Sequence, residues 1–127
     1  MSLPSPLAGK HILVVEDEYL IADDFARVLT GAGAQVVGPA ASLPQGMRLV
    51  GDAQALDAAV LDINLRETMV YPLIDRLIGD GVRVLLTSGY DETVIPAAYH
   101  HLPRYEKPVS APRLLRATEE LLADDRS

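Results

Sequence analysis

Five short apolar runs follow one another along the chain, and each is followed by a segment whose apolar residues have helical spacing. The runs are continuous and rich in Val, Ile, Leu and Ala, which is typical of strands buried on both faces of a sheet. The predicted strands are residues 11–15, 35–37, 58–61, 82–86 and 102–106. Gly38-Pro39 is expected to end the second strand, which suits a position at the sheet edge. Strict alternation with short connections predicts one open parallel sheet with helices on both faces.

Glycines and capping residues set the limits of the predicted helices. The first helix is expected to end at residues 31–33 and the third at 79–81, where glycines interrupt the helical spacing. Ser42 is expected to cap the second helix, and the last helix is expected to begin near Ser110. A weaker helical pattern covers residues 94–101 and predicts a helix between the fourth and fifth strands.

Composition limits what this chain can be and what it can bind. With 49% apolar residues and only 5% aromatic ones, the chain can build a core that rests on aliphatic side chains. The formal net charge of −7 repels phosphate backbones and anionic lipid, so direct binding of nucleic acid is not expected. Cysteine is absent, which excludes disulfides and thiolate metal sites and fits a reducing cytoplasm.

The length of 127 residues fits one domain. We expect a flexible tail over residues 1–9, the folded domain over 10–123 and an acidic tail over 124–127. No apolar run approaches the roughly 20 residues that a membrane helix needs, so no membrane span is expected.

Polar groups with chemical capacity follow four of the five predicted strands. Glu16 and Asp17 follow the first strand and Asp62 the third, while Thr87 and Lys107 follow the fourth and fifth. Because the carboxyl ends of parallel strands meet at one edge of a sheet, these side chains are expected to lie close together. Three clustered carboxylates repel one another, and a hard cation such as Mg²⁺ relieves that repulsion. One carboxylate can then act as a nucleophile toward a phosphoryl group, with the ammonium and hydroxyl groups contacting its oxygens.

Each of these residues also has an ordinary structural explanation. An acidic pair after a strand is usually the solvated start of a helix, and a single Asp such as Asp62 often caps a turn. A Lys before Pro is mostly found in a surface turn, so only the combination favours a site. His100 and His101 are adjacent on a predicted helix, point in different directions and are not expected to share a metal.

At these residues the sequence resembles a response-regulator receiver domain of two-component signalling, over about residues 10–123. The resemblance rests on four segments, which are residues 13–18, 61–65, 85–88 and 107–108. It implies a flavodoxin-like receiver fold with strand order 2-1-3-4-5. Three further segments, residues 37–40, 70–73 and 87–90, resemble an alphaproteobacterial branch that includes single-domain and general-stress regulators.

The resemblance also implies a role for each site residue. Asp62 would be the phospho-acceptor, Thr87 the hydroxyl switch and Lys107 the lysine that contacts the phosphoryl group. The implied ligands of Mg²⁺ are the carboxylates of Glu16, Asp17 and Asp62 and the backbone carbonyl of Asn64. A cis peptide is expected between Lys107 and Pro108.

The implied partners are a sensor histidine kinase or histidine phosphotransfer protein as donor, and a downstream protein as target. Phosphorylation would switch a surface formed by the fourth predicted helix, the fifth strand and the last helix, and a homodimer through these elements is one form of that switch. The resemblance implies a cytoplasmic signalling domain rather than an enzyme with a separate substrate. The sequence leaves open whether the receiver stands alone or belongs to a larger protein.

One departure from the receiver pattern keeps two alternatives open. Receivers often carry an aromatic residue three positions before the lysine, but this chain has Arg104 there and Tyr105 next to it. Alternation along a strand would send these two side chains to opposite faces, and Tyr90 is a candidate replacement for the aromatic switch. A pseudo-receiver that binds a partner without phosphorylation is therefore one alternative. The other is an Mg²⁺-dependent phosphatase with an aspartyl nucleophile, which Asn64 disfavours because it cannot act as a general acid two residues after Asp62.

Overall fold

The computed structural model describes residues 5–52, 55–66, 68–89 and 95–123. Its strands are β1 (His11–Val15), β2 (Gln35–Ala40), β3 (Ala58–Asp62), β4 (Asn64–Leu65), β5 (Thr68–Met69), β6 (Arg83–Ser88) and β7 (Arg104–Glu106). Five of them form a parallel sheet in the order β2-β1-β3-β6-β7, and β4 and β5 form a separate antiparallel hairpin. Because β6 and β7 are the fourth and fifth strands of the main sheet, the predicted order 2-1-3-4-5 is confirmed.

In the described ranges, four α-helices connect or follow the strands. They are α1 (Tyr19–Gly31), α2 (Leu43–Asp52), α3 (Tyr71–Gly79) and α4 (Ala111–Ala123). The predicted serine caps are confirmed at the starts of α2 and α4. The Gln45 backbone N–H donates to Ser42 Oγ at 3.3 Å, and the Arg113 N–H donates to Ser110 Oγ at 3.3 Å. None of the helices within the described residues has the length and apolar character needed to cross a membrane.

The helix expected over residues 94–101 is wrong for the described part of that segment. Residues 95–101 contain only a short 3₁₀-helix, Ala97–Tyr99, which Pro96 precedes in an extended conformation. Pro lacks the N–H that a helix interior needs, and Ala97, Ala98 and His100 are exposed, so no apolar stripe stabilises a longer helix. In the predicted switch surface, this 3₁₀-helix therefore takes the place of the fourth predicted helix.

The core consists of two clusters, one on each face of the sheet. Alternate residues of β1 show the division, because Leu13 and Val15 belong to one cluster while Ile12 and Val14 belong to the other. Helices α2 and α3 cover the first face, and α1 and α4 cover the second. Strands buried on both faces explain why the apolar runs are continuous in the sequence.

Part of the expected tail over residues 1–9 packs against the domain. Residues 5–9 form a turn, and the Leu7 side chain is fully buried in the cluster shared with α1 and α4. The Gly9 N–H donates to the Gly33 carbonyl at 2.9 Å. Residues 1–4, and the expected acidic tail over 124–127, lie outside the described residues.

Strand β2 continues past Gly38, where the sequence predicted its end. Gly38 has a positive φ of 98°, and the pairing of β1 with β2 shifts register between Leu13 and Val15. Gly38 and Pro39, which are joined by a cis peptide bond, lie at this shift, and pairing with β1 resumes at Ala40. The Ala40 carbonyl then accepts a hydrogen bond from the Glu16 N–H at 2.9 Å, so this irregularity leads directly to the predicted site.

Replacing Gly38 by Ala is expected to destabilise the protein by more than about 1 kcal/mol. An added Cβ would lie 2.8 Å from Ala40 N and 3.0 Å from the Val14 carbonyl oxygen, on a backbone that disfavours L side chains. Gly51→Ala is the matched control, since its Cβ meets nothing within 4 Å and it lies inside α2. Urea unfolding should show Gly51→Ala neutral or stabilising by up to about 1 kcal/mol. Equal losses in both variants would contradict this account of Gly38.

Candidate functional site

The sheet brings the predicted site residues together at the carboxyl edge of its central strands. Asp62 ends β3 and pairs directly with Thr87 in β6. On the other side, Val15 of β1 pairs with Leu61, so Glu16 follows β1 next to Asp62. Glu16 is 2% exposed, Asp62 5% and Thr87 1%. The site therefore consists of polar groups that the neighbouring strands bury.

The three predicted carboxylates form one cluster. Glu16, Asp17 and Asp62 each offer an oxygen, and these oxygens all lie within 4.8 Å of one another. The Glu18 backbone N–H donates to Glu16 Oε2 at 3.2 Å, and the Asn64 N–H donates to Asp62 Oδ1 at 3.2 Å. The residues that follow β1 and β3 therefore orient the two buried carboxylates through their own backbone.

Lys107 supplies the positive charge between Glu16 and Asp62. Its Nζ donates a hydrogen bond to Asp62 Oδ2 at 2.7 Å and lies 2.8 Å from Glu16 Oε1. The backbone N–H of Lys107 donates to the Ser88 carbonyl at 2.7 Å, which fixes the residue beside the end of β6. The cis peptide expected between Lys107 and Pro108 is confirmed.

Burial and these contacts shift the pKa values of both Glu16 and Lys107. Burial raises the pKa of Glu16 to about 7; contact with Lys107 opposes this rise, and the charge of Asp62 adds to it. Burial lowers the pKa of Lys107, but the contacts with Asp62 and Glu16 outweigh it, so that pKa lies above its ordinary value. Lys107 therefore stays charged at neutral pH, and Glu16 is the group of this pair that titrates near neutrality without metal.

The cluster fits a divalent cation. Glu16 Oε1 is buried, and among the described residues its close polar contact is the ion pair with Lys107 Nζ at 2.8 Å. A buried carboxylate oxygen with unused acceptor capacity, next to two further carboxylates, is the oxygen-rich environment that Mg²⁺ prefers. Within the described ranges, this is the one group of three or more candidate metal ligands.

The hairpin of β4 and β5 adds a residue that the sequence did not identify. Arg66 lies in its turn with a positive φ of 53°, and its Nε lies 3.5 Å from Asp17 Oδ2. The hairpin is held in place because Ile63 donates its N–H to the Thr87 carbonyl and accepts a hydrogen bond from the Val70 N–H, both at 3.0 Å. An arginine four residues after Asp62 carries no sequence signal, since only the hairpin turn brings it back to Asp17.

The positions of Arg104 and Tyr105 confirm that their side chains take opposite faces. Tyr105 pairs with Thr87 and packs in the cluster of α1 and α4, where the Arg113 guanidinium lies 5.1 Å from its ring centre. Arg104 pairs with Leu86 and lines a small cavity together with Tyr99 of the 3₁₀-helix. The candidate Tyr90 lies outside the described residues.

A tyrosine pair joins α3 to the 3₁₀-helix and was also missed by the sequence. The rings of Tyr71 and Tyr99 stack with centres 4.8 Å apart and planes 12° apart. Tyr99 donates its hydroxyl hydrogen to Asp75 Oδ1 at 2.8 Å, and this hydrogen bond raises the pKa of Tyr99. The pair connects the segment after β6 with the helix that follows the hairpin.

Comparison with known proteins identifies the fold. No protein-family model and no curated protein matches the chain. Among solved structures, SdrG from Sphingomonas melonis Fr1 is 28% identical with a TM-score of 0.77, over 93% of this chain and 98% of that one. The receiver domain of the response regulator PhyR from Erythrobacter litoralis is 20% identical with a TM-score of 0.80, over 94% and 95% of the two chains.

A CheY-like receiver domain from Methanospirillum hungatei JF-1 gives a similar result, with 24% identity, a TM-score of 0.78 and coverage of 92% and 96%. The chain therefore has the fold of a response-regulator receiver domain, which confirms the resemblance and the flavodoxin-like fold inferred from the sequence. Receivers are signalling domains rather than a family of enzymes, and they bind Mg²⁺ through an acidic pocket.

Replacing Glu16 by Gln is expected to change how stability depends on pH when metal is absent. The folded-state pKa of about 7 exceeds the ordinary 4.5, so the folded protein holds this proton more tightly than the unfolded chain does. Wild type should therefore lose stability relative to Glu16→Gln as pH rises from about 4.5 to 7, by on the order of 1 to 3 kcal/mol.

Urea unfolding in EDTA at several pH values measures this difference. The variant Glu120→Gln, at an exposed position of α4, controls for the loss of one carboxylate. A difference between wild type and Glu16→Gln that stays constant across this pH range would contradict the raised pKa of Glu16.

Proposed function

We propose that this chain is a phosphorylated receiver, in which Asp62 accepts a phosphoryl group from a histidine donor and thereby switches a protein-interaction surface. The observation that carries the proposal is the contact of Lys107 Nζ with both Asp62 and Glu16, inside a buried cluster of three carboxylates. Phosphoryl transfer requires mainly positioning and neutralisation of charge, and this arrangement provides both.

Asp62 is the proposed nucleophile because it occupies the centre of the site and both of its oxygens are held. The Asn64 N–H contacts Oδ1 and Lys107 contacts Oδ2. A carboxylate oxygen of Asp62 would attack phosphorus as the bond from phosphorus to the donor imidazole nitrogen breaks. The electron pair of that bond stays on the imidazole. Lys107 would then contact a phosphoryl oxygen, and the Thr87 hydroxyl, beside Asp62 in the sheet, would donate to another.

Glu16, Asp17 and Asp62, with the backbone carbonyl of Asn64, are the proposed ligands of Mg²⁺. Bound Mg²⁺ supplies the positive charge that offsets these carboxylates and the phosphoryl oxygens during transfer. Asp17 is the most accessible carboxylate of the cluster, with its side chain 13% exposed, while Glu16 is 2% exposed. The deep burial of Glu16 Oε1, with Lys107 as its ion-pair partner at 2.8 Å, supports this assignment independently of the phosphoryl chemistry.

The proposed partners are a sensor histidine kinase or histidine phosphotransfer protein and a downstream protein, in the cytoplasm. The proposed switch surface consists of the 3₁₀-helix Ala97–Tyr99, β7 and α4, through which a homodimer is one outcome of activation. The net charge of −7 supports protein partners rather than direct contact with nucleic acid.

The second candidate function is a pseudo-receiver that binds its partner without phosphorylation. The observation in its favour is Arg104, which is exposed on β7 at the position where receivers often have an aromatic residue. The complete set of Glu16, Asp17, Asp62 and Lys107 favours the phosphorylated receiver instead, since a binding module has no need to bury these charges together.

Intact-protein mass spectrometry after incubation with Mg²⁺ and acetyl phosphate tests the proposal. Wild type should gain one phosphoryl group, and Asp62→Asn should gain none because the amide is not a nucleophile. The matched control is Asp57→Asn, which changes a carboxylate next to the opposite end of β3, where Asp57 Oδ2 accepts the His11 N–H at 2.8 Å. This control should still be phosphorylated. Phosphorylation of Asp62→Asn would overturn the assignment, and an unmodified wild type that binds Mg²⁺ would favour the pseudo-receiver.

A further inference from the structure

Two cations neutralise the carboxylate cluster from different sides. Lys107 contacts Glu16 and Asp62, whereas Asp17 forms an ion pair with Arg66, with 3.5 Å between Nε and Oδ2. The cluster is thus divided into a part that faces Lys107, where the phosphoryl group is proposed to attach, and a carboxylate on the metal side that faces an arginine.

Arg66 is placed to reach Asp17 from the solvent side. It occupies the turn of the β4–β5 hairpin, next to the pair that Leu65 forms with Thr68. Its side chain is 81% exposed, while that of Asp17 is 13% exposed. The guanidinium can leave Asp17 without disturbing the core, because it is mostly exposed and Asp17 is its ion-pair partner among the described residues.

We propose that Arg66 competes with the divalent cation for Asp17 and so sets the Mg²⁺ concentration at which the receiver can be phosphorylated. The inference rests on the proposed function of the site. A guanidinium this close to a carboxylate repels a metal ion on the same oxygen, so binding of metal requires Arg66 to move away. Lys107 does not compete in the same way, since its contacts are with Glu16 and Asp62 rather than with Asp17.

The size of the effect follows from the exposure of the pair. An exposed ion pair changes an equilibrium by up to about fivefold, so removal of the guanidinium should tighten Mg²⁺ binding by about two- to fivefold. Added salt screens charges that face solvent, and the difference between wild type and variant should therefore shrink as KCl is raised.

Isothermal titration with MgCl₂ on wild type, Arg66→Gln and Arg76→Gln tests the proposal. Arg76→Gln is the matched control, because Arg76 of α3 is also exposed and lies away from the site. Its Nε pairs at 3.2 Å with the carboxylate of Asp80, which directly follows that helix. Both variants lose one positive charge. Tighter Mg²⁺ binding by Arg66→Gln alone is the expected result, with both variants unfolding in EDTA at urea concentrations close to that of wild type.

The other outcomes separate failure of this inference from failure of the proposed function. Wild type and Arg66→Gln binding Mg²⁺ equally, or Arg66→Gln binding it more weakly, would overturn the role of Arg66 and leave the receiver function intact. Equal tightening in both variants would also overturn it, by assigning the effect to net charge. Absence of Mg²⁺ binding in wild type would overturn the proposed metal site and this inference together.

Discussion

The contact of one ammonium with two buried carboxylates is the interaction on which the rest of this structure depends. Glu16 and Asp62 are almost completely removed from water, and an unpaired charge in such a place is strongly unfavourable. Lys107 offsets part of that penalty, although the raised pKa of Glu16 shows that the compensation is incomplete. The carboxylates therefore keep negative charge that Lys107 does not balance, and this favours binding of a further cation.

The order of the strands explains why a lysine performs this task. Asp62 ends the central strand β3, Glu16 and Thr87 come from the two neighbouring strands, and Lys107 follows β7 at the sheet edge. Neighbouring strands lie about 4.8 Å apart, so a residue two strands away reaches Asp62 only with a long side chain. The hydrogen bond from the Lys107 N–H to the Ser88 carbonyl fixes the backbone position from which this side chain extends.

The sequence predicted the parts of the site that depend on strand ends. Continuous apolar runs located the strands, and the residues that directly follow three of these runs are Glu16, Asp62 and Lys107. They were predicted to lie together because parallel strands present their carboxyl ends at one edge of the sheet. The strand order itself came from the resemblance rather than from the pattern. Arg66 was missed because its contact depends on the path of a hairpin turn, which hydrophobic spacing does not encode.

Other differences from the sequence prediction arise from tertiary context. The helical spacing over residues 94–101 did not produce an α-helix in the described part, since few of its side chains find a place in the core. The stack of Tyr71 on Tyr99 joins residues that are distant in the chain, so local sequence patterns do not predict it. Strand β2 continued beyond Gly38 because its ladder with β1 could shift register, a property of the pair of strands rather than of either one.

The candidate site lies at the carboxyl edge of the sheet, and this leaves the opposite edge available for a reporter group. The end of α3 lies there, and a side chain added at Gly79 would meet nothing within 4 Å. Thr87 lies four residues after Arg83, where β6 begins, which places it roughly 13 Å along the strand from that edge. Because the chain contains no cysteine, a single cysteine introduced at Gly79 would be its only thiol. A fluorophore attached to it would label the protein at a distance from Glu16, Asp62 and Lys107.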